Sequence, residues 1–517
     1  MTTTSIEVER HDAEAVNSAK LRQPLYAARK KIFPKRASGQ FRNFKWLVML
    51  ITLGIYYLTP WLRWDRGPHA PDQAVLIDMA NSRFYFFFIE IWPQEFFIVA
   101  GLLVMAGIGL FLITSTVGRA WCGYTCPQTV WVDLFLVVER ALEGDRNARM
   151  KLDKAPWSAR KLTLRVTKHV VWLAIAVATG GAWIFYFADA PTLLVDFMTG
   201  HAPAIAYITV AVLTATTYVF GGLMREQVCT YMCPWPRIQA AMLDENSLTV
   251  TYNDWRGEPR TRGTKKALAS GKTAGDCVDC NACVVVCPMG IDIRDGQQLE
   301  CITCALCIDA CDQVMDKIGR PRGLISYATL ADYNNNMALV TGDGTHPIDP
   351  DLVRGTDGKL AEGIKPFQLS RVFQPRVFIY FAGWALIGLA LIYALMARDL
   401  LEVNVLHDRN PQYVVLSDGS IRNGYTVKLL NKIAEPREVT VTLEGLPEGD
   451  MSVVGMDTEA VRSFAVALEP DRLKTLKIYV RQSRDKIDGR VQTFRFIVED
   501  AQNDAEAAYT ANFSAPD

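Results

Sequence analysis

Cysteine is missing from this 517-residue chain before residue 122 and after residue 311; all 12 cysteines lie between Cys122 and Cys311. A secreted disulfide framework spreads its bridges through each domain it staples, so that architecture is excluded. Net charge is missing too, because 55 Lys and Arg balance 55 Asp and Glu. Binding to nucleic acid draws on a basic excess that meets phosphate, so no nucleic-acid partner is expected. Histidine is scarce, with six in all. His169 and His201 fall at opposite membrane faces in the topology derived below, which argues against a membrane haem held between paired axial ligands. No Gly-rich fingerprint opens a strand–helix unit, so direct use of NAD(P)H finds no support.

What is present is grease: 50% of the residues are hydrophobic. The chain is too long for one ordinary domain. Five runs approach the roughly 20 apolar residues that cross a bilayer: 46–62, 96–117, 170–188, 202–224 and 377–397. A long polar, basic stretch precedes the first, which is therefore expected to remain as a span rather than to be cleaved as a leader. A shorter stretch, 84–92, reads as an interfacial segment because aromatics favour the headgroup region.

The basic residues orient these runs. Residues 1–45 hold ten Lys and Arg, 63–95 hold three, 118–169 hold ten and 189–201 hold none. The positive-inside rule places the N-terminus and loops 118–169 and 225–376 in the cytoplasm, and the tail outside, in a periplasm if the cell is Gram-negative. All 12 cysteines then share the cytoplasmic side, where thiols stay reduced. The run "AARKKIFPKR" before the first span reads as an anchor against anionic membrane lipid.

The expected architecture is a multi-domain membrane protein. It combines a five-helix α transmembrane region, an α+β two-cluster ferredoxin-like insert and a C-terminal immunoglobulin-like β-sandwich. Its parts are a basic N-terminal segment (1–45), four spans (46–246), a linker (247–275), a ferredoxin-type domain (276–330), a loop (331–376), the fifth span (377–397) and a periplasmic domain (402–517). The linker is polar and Gly-rich and reads as a tether. The tail alternates with period two in "GYTVKLLN", "EVTVTLEG" and "QTFRFIVED", with turn residues between, which is the pattern of a sandwich. It has no cysteine for an inter-sheet disulfide and no catalytic constellation, and it reads as a docking module.

The strongest motif is Cys277-x2-Cys280-x2-Cys283-x3-Cys287-Pro288, repeated as Cys301-x2-Cys304-x2-Cys307-x3-Cys311. This is the spacing of bacterial two-cluster ferredoxins. Three cysteines at two-residue gaps wrap one cubane, and the fourth reaches the other. Cys277, Cys280, Cys283 and Cys311 are therefore expected to hold one 4Fe-4S cluster, and Cys287, Cys301, Cys304 and Cys307 the second. Zinc sites instead pair two short hooks across a longer gap. Asp312 stands where the first run has Pro288, a position that binds no iron.

A second motif occurs twice: "WCGYTCP" and "VCTYMCP" read Cys-x-Tyr-x-Cys-Pro, each at the inner end of a span. In a continuous helix Cys122 and Cys126, and likewise Cys229 and Cys233, lie one turn apart on one face. Four thiols would meet where the two helix ends approach, and thiolates select Cu(I), zinc or iron–sulfur centres. Arg119 and Arg225 stand where they would lower a thiol pKa, and Tyr124 and Tyr231 where they would order the site or pass a proton. Metal binding, thiol redox and a third cluster all remain open on this reading.

Taken in order, "AARKKIFPKR", "IWPQEF", both Cys-x-Tyr-x-Cys-Pro motifs, the double ferredoxin run and the sandwich resemble the cytochrome c oxidase accessory proteins of the FixG/CcoG/RdxA type over nearly the whole chain. The resemblance implies a bacterial inner-membrane protein with two 4Fe-4S clusters that supports assembly of a cbb-type oxidase. It further implies an oxidoreductase, a cupric reductase, that reduces Cu(II) to Cu(I) with Cys122, Cys126, Cys229 and Cys233 as the copper site. Oxidase subunits or copper chaperones are then the expected partners, with a cytoplasmic electron donor the sequence does not name, and a homodimer is one open arrangement. The rival functions are a quinol dehydrogenase and a non-enzymatic assembly scaffold.

Overall fold

The computed structural model describes residues 8–16, 30–262, 274–341, 353, 360, 364, 369–433, 435–456, 461–470, 472–487, 489–500 and 505–516. The chain divides into two compact units. The first is Met1–Trp61, Val75–Phe84 and Ile91–Leu389; the second is Leu62–Ala74, Tyr85–Glu90 and Ala390–Asp517.

Among the described residues the α-helices are, in chain order, α1 (Gln40–Leu58), α2 (Phe96–Val117), α3 (Ala120–Tyr124), α4 (Pro127–Glu143), α5 (Arg146–Lys154), α6 (Ala159–Ile184), α7 (Ala190–Thr199), α8 (Ala204–Thr217), α9 (Trp235–Met242), α10 (Asp254–Gly257), α11 (Ala282–Val286), α12 (Leu306–Ile318), α13 (Leu330–Thr341) and α14 (Pro375–Met396). Among the described residues four helices are long and apolar enough to cross a membrane: Pro93–Val117, Ala159–Ile184, Ala204–Met224 and Pro375–Met396. The sequence led us to expect a fifth at 46–62. That run lies mostly on α1, which is 19 residues long and spends its first turns on Arg42 and Lys45, leaving a shorter apolar stretch.

Those first turns of α1 are held by the iron–sulfur region. The Asp309 carboxylate on α12 accepts from the backbone N–H of Phe41 (3.2 Å) and Arg42 (2.7 Å). It thus supplies the acceptor that a free helix N-terminus lacks. The chain can enter there because residue 39 is glycine: its φ is 148°, and an added Cβ would overlap the Asp309 side chain.

The segments between the spans are more ordered than the sequence led one to expect. Segment 84–92, expected at the membrane interface, is extended chain, carried by β2 (Arg83–Phe86) and β3 (Ile89–Ile91) after β1 (Val75–Asp78). The start of the supposed tether is core: β4 (Thr249–Tyr252) pairs antiparallel with β5 (Ile325–Ala328), and Trp255 is buried. The rest of the tether, 263–273, lies outside the described residues. Loop 331–376 begins as α13, although most of 342–368 is likewise outside the described residues. Of "AARKKIFPKR", residues 30–36 are described, and they meet protein. Lys31 pairs with Asp153 (3.0 Å), Lys35 pairs with Glu9 (2.8 Å), and the Pro34 carbonyl accepts from Arg149.

The second unit carries a two-sheet sandwich built from β6 (Leu401–His407), β7 (Val414–Val415), β8 (Ile421–Asn431), β9 (Arg437–Glu444), β10 (Asp450–Val453), β11 (Ser463–Leu468), β12 (Leu473–Gln482), β13 (Val491–Asp500) and β14 (Ala505–Ser514). One sheet runs β10-β12-β8-β6, with β7 beside β8; the other runs β11-β9-β13-β14. Alternate residues point inward, as Val439, Val441 and Leu443 do from β9 and Phe494, Phe496 and Val498 from β13. Tyr425 fills the centre, 5.5 Å from Phe494 and 5.6 Å from Phe496, and its hydroxyl donates to the Asn512 carbonyl (2.7 Å). A buried hydroxyl with a partner costs little, so hydrogen bonds and ring packing join the sheets in place of a disulfide.

Candidate metal centre

The two ferredoxin loops repeat each other in backbone as well as in sequence. Asp279 and Asn281 have φ of 48° and 59°, and the equivalent Thr303 and Ala305 have 57° and 59°. Left-handed residues at these points coil the chain around its thiols before α11 and α12 begin. Cys277, Cys280, Cys283 and Cys311 line one cavity, and Cys287, Cys301, Cys304 and Cys307 line another, which Cys283 also borders. The remaining walls are mostly apolar, including Met315, Leu324 and Ile325 around the first and Val250, Ile291 and Ile302 around the second. This grouping fits two cubanes with crossed fourth ligands.

Charge at the thiols agrees with the grouping. Burial pushes Cys287 up to about 12 and Cys301 up to about 11, and Cys307 and Cys311 well above the usual thiol range. Beyond burial, Cys311 is raised by Cys283, Cys277 and Cys280, and Cys287 by Cys304 and Cys301. Iron must therefore displace the protons when a cluster forms. Arg294, which faces the first cavity, is fixed by Asp279 (2.9 Å), Asp292 (2.7 Å) and Asn281 (2.7 Å).

The Pro288-to-Asp312 departure has a structural cause. α11 stops at Val286, so a proline after Cys287 continues no helix, whereas α12 runs on to Ile318 and needs a backbone N–H at 312. Proline inside α12 would remove that hydrogen bond. Asp312 instead accepts from Gly323 N–H (2.9 Å), tying α12 to the strand that follows.

The Cys-x-Tyr-x-Cys-Pro motifs do not continue as plain α-helix. Each closes with a wide turn in which the second cysteine's N–H reaches the carbonyl preceding the first: Cys126 to Trp121 (2.9 Å) and Cys233 to Val228 (2.8 Å). Cys122 lies on α3, while Cys126 is the extended residue before Pro127 opens α4. Cys229 lies in a π turn, Val228–Met232, and Cys233 is the extended residue that ends it. Proline follows both times because the chain has already left the helix.

The thiols of the two motifs lie near enough to act on one another's charge. Burial raises Cys229 to about 12, and Cys126, Cys122 and Cys233 push in the same direction. Burial likewise raises Cys122 to about 11, against Arg119 and with Cys126 and Cys233. Arg119 therefore bears on both motifs, and burial outweighs the lowering expected of it. Arg225 is spent elsewhere, on Glu139 at 2.8 Å. Cys122 Sγ–H donates to Gln239 Oε1 (3.1 Å), whose own amide donates to Thr114 (3.3 Å). Among the described residues no three His, Cys, Asp or Glu side chains converge on a single-ion site. The thiols of a cubane stand on separate irons, so the two cysteine-lined cavities need no such convergence.

The two tyrosines differ. Tyr231 is 69% exposed, whereas Tyr124 is buried and its hydroxyl donates to the Cys304 carbonyl (3.2 Å). Tyr327 adds a bond to the Thr303 carbonyl (2.8 Å). Beside Tyr124, a Cβ on Gly123 would lie 2.6 Å from the Ile302 carbonyl and 3.0 Å from Cys304 Cα. The first motif therefore rests its backbone on the second ferredoxin loop. Sequence reasoning passed over Gly123, Gln239, Tyr327 and Arg294. Only Gly123 left a signal, since the second copy has Thr230 in its place.

A buried charge cluster braces this region. Glu139 meets Arg225 (2.8 Å), Arg149 (3.0 Å) and Lys168 (3.3 Å), and Arg149 is wholly buried. Burial opposes ionisation of Glu139, but Arg225, Lys168 and Arg149 outweigh it and hold the carboxyl at about 2. A depressed carboxyl stabilises the fold above its unfolded value, near 4.3, and loses that contribution as pH falls towards 2. Glu139→Gln is expected to cost about 3 kcal/mol at neutral pH, because cations are left unpaired. Thermal denaturation should show the gap from wild type closing between pH 4.3 and 2; a gap independent of pH would contradict the pairing.

Comparison with known proteins follows this anatomy. Residues 224–330 match the 4Fe-4S dicluster domain family, residues 97–143 a 4Fe-4S binding domain family, and residues 391–516 the family described as an Ig-like fold at the C-terminus of FixG. The chain is 66% identical to the nitrogen fixation protein FixG of Rhizobium meliloti strain 1021, over 99% of this chain and 98% of that one. In Cereibacter sphaeroides, protein RdxB is 56% identical over 86% of this chain and 90% of its own. Protein RdxA of the same organism is 51% identical over 93% and 95% respectively.

Proposed function

This chain belongs to the FixG/RdxA family of iron–sulfur membrane proteins with an Ig-like C-terminal domain, and on that premise we propose that it reduces Cu(II) to Cu(I) for assembly of a cbb-type cytochrome oxidase. The chain carries two 4Fe-4S clusters, which supply single electrons. The observation that carries the reading is the seat of Gly123 and Tyr124 on the Cys304 loop. It sets a thiol pair beside a cluster-binding loop, and soft thiolates retain the cuprous product.

In this reading Cys122, Cys126, Cys229 and Cys233 hold copper as substrate, Gln239 fixes the direction of Cys122, and Arg119 offsets the charge of ionised thiols. Cys277, Cys280, Cys283 and Cys311 hold one cluster, and Cys287, Cys301, Cys304 and Cys307 the other. We further propose that α1 joins the four long apolar helices as a fifth span in a bacterial inner membrane. The N-terminus and clusters then face the cytoplasm and the sandwich the periplasm, where it would dock oxidase subunits or a copper chaperone.

Cys122→Ser with Cys126→Ser is the test. The double variant is expected to keep its iron while copper binding falls to background and Cu(II) added to the reduced protein stays cupric by EPR. Unchanged copper binding and reduction would remove the thiol role.

A further inference from the structure

A cavity of about 440 Å³ opens beside α6, apart from the thiol sites, with Leu162, Val166, Val170 and Leu173 along it. These four side chains are 48–59% exposed; Val170 and Leu173 lie on the apolar part of a helix long enough to cross a bilayer, so that end faces lipid, while Leu162 and Val166 stand among basic residues at the membrane edge. The polar lining of the cavity is Arg165 and one hydrogen-bonded pair, Tyr218 Oη and His169 Nδ1 at 2.8 Å. Behind them Trp172 is buried, edge-on to His169 at 5.3 Å and stacked on Phe135 at 5.3 Å. Tyr218 also begins the π turn Tyr218–Met224. A π turn breaks regular helix and is found most often at functional sites.

The size is that of a small-molecule site, mostly apolar with few polar groups. The chemistry narrows the occupant. An anionic lipid headgroup would need a cation, but Arg165 is held by Glu143 (3.2 Å) and Asp153 (3.0 Å), and Lys168 by Glu143 (3.0 Å). With Arg165 neutralised by its two carboxylates, what the cavity offers is an imidazole and a phenol that together both donate and accept. With Tyr218 donating to Nδ1, the neutral ring carries its proton on Nε2, ready for a carbonyl oxygen. In the other neutral tautomer Nδ1–H donates to Tyr218 Oη, and the bare Nε2 accepts from a hydroxyl. A flat, uncharged ring with oxygen at one end and an apolar tail in the bilayer fits both halves.

We propose that this cavity binds the headgroup of a membrane benzoquinone or its hydroquinone, entered sideways from the lipid, with a ring oxygen on the His169–Tyr218 pair. The inference goes beyond the copper reading and stands or falls apart from it.

The test uses full-length, iron-loaded protein in phosphatidylcholine nanodiscs, with decylubiquinone as the probe and quenching of tryptophan fluorescence as the readout, since Trp157 and Trp172 flank the cavity. Wild type is expected to saturate. Tyr218→Phe and His169→Leu should each weaken binding roughly tenfold, the scale of one lost hydrogen bond to a buried group, with cluster absorbance unchanged as proof of folding. Quenching that rises without saturating, or equal affinity in all three proteins, would overturn the proposal. So would loss of the signal in proportion to added phosphatidylglycerol, which would make the cavity a lipid site.

Discussion

Replacing Cys311 with serine is expected to remove about half of the bound iron and to leave the cluster of the second loop in place. Cys311 belongs to the second cysteine run, yet it borders the cavity of Cys277, Cys280 and Cys283, which are also the thiols that raise its pKa. The crossing follows from helix geometry. α12 carries its cysteine away from the Cys301–Cys307 loop and delivers it to the neighbour, as the ferredoxin spacing demands. Single variants cannot separate a crossed from an uncrossed scheme, because either loses one cluster. Paired variants can. Cys311→Ser combined with Cys280→Ser should lose no more iron than Cys311→Ser alone, since both act on one cluster. Combined with Cys304→Ser it should lose nearly all. Iron analysis and EPR of anaerobically purified protein measure both. The reverse pattern, additive with Cys280→Ser and silent with Cys304→Ser, would mean that each run binds its own cluster.

The ferredoxin repeat was legible because its ligands are local: spacing along the chain sets spacing in space. The long spans were legible for a similar reason, since hydropathy accumulates within one helix. What stayed hidden depends on partners far away in sequence. Val250, Tyr252 and Trp255 are too few among polar neighbours to announce a core, and they become one because β4 pairs with a strand more than seventy residues on. β14, "AEAAYTANFS", is alanine-rich and poor in β-branched residues, so propensity does not mark it. It is nonetheless a full edge strand through ten pairings with β13. The basic run before α1 followed the rule for membrane anchors, but the described part spends Lys31 and Lys35 on ion pairs with Asp153 and Glu9. At the site, the two thiol pairs were readable, but their helical i, i+4 geometry was not. The asymmetry between Tyr124 and Tyr231 arises because only the first motif packs against the second ferredoxin loop.

That packing makes Gly123 the position where the smallest change should have the largest consequence. The two Cys-x-Tyr-x-Cys-Pro copies agree in both cysteines, the tyrosine and the proline, and differ at Thr125 against Met232 and at the residue after the first cysteine: Gly123 in one, Thr230 in the other. Thr230 has room, and its hydroxyl donates to the Glu226 carbonyl (2.9 Å) within its own turn. Gly123 has none: a Cβ would sit 2.6 Å from the Ile302 oxygen, 3.0 Å from Cys304 Cα and 3.1 Å from Cys304 N. All three are backbone atoms of a loop that also carries a cluster ligand, so relief requires moving the loop rather than turning a side chain. Gly123→Thr is therefore expected to destabilise the protein by about 1–3 kcal/mol or more, the range for overpacking a tight interface. It should also strip iron from the second cluster before the first. Thr230→Gly, the reciprocal change, should leave iron content and melting temperature near wild type. Tyr124→Phe serves as the control, since it removes one hydrogen bond, worth about 1 kcal/mol, without any clash. If steric contact holds the motif to the loop, Gly123→Thr must be worse than Tyr124→Phe in both iron retention and stability. A Gly123→Thr protein that keeps both clusters and melts with wild type would show that the motif and the loop are not in contact, and the case for electron delivery to those thiols would lose its structural basis.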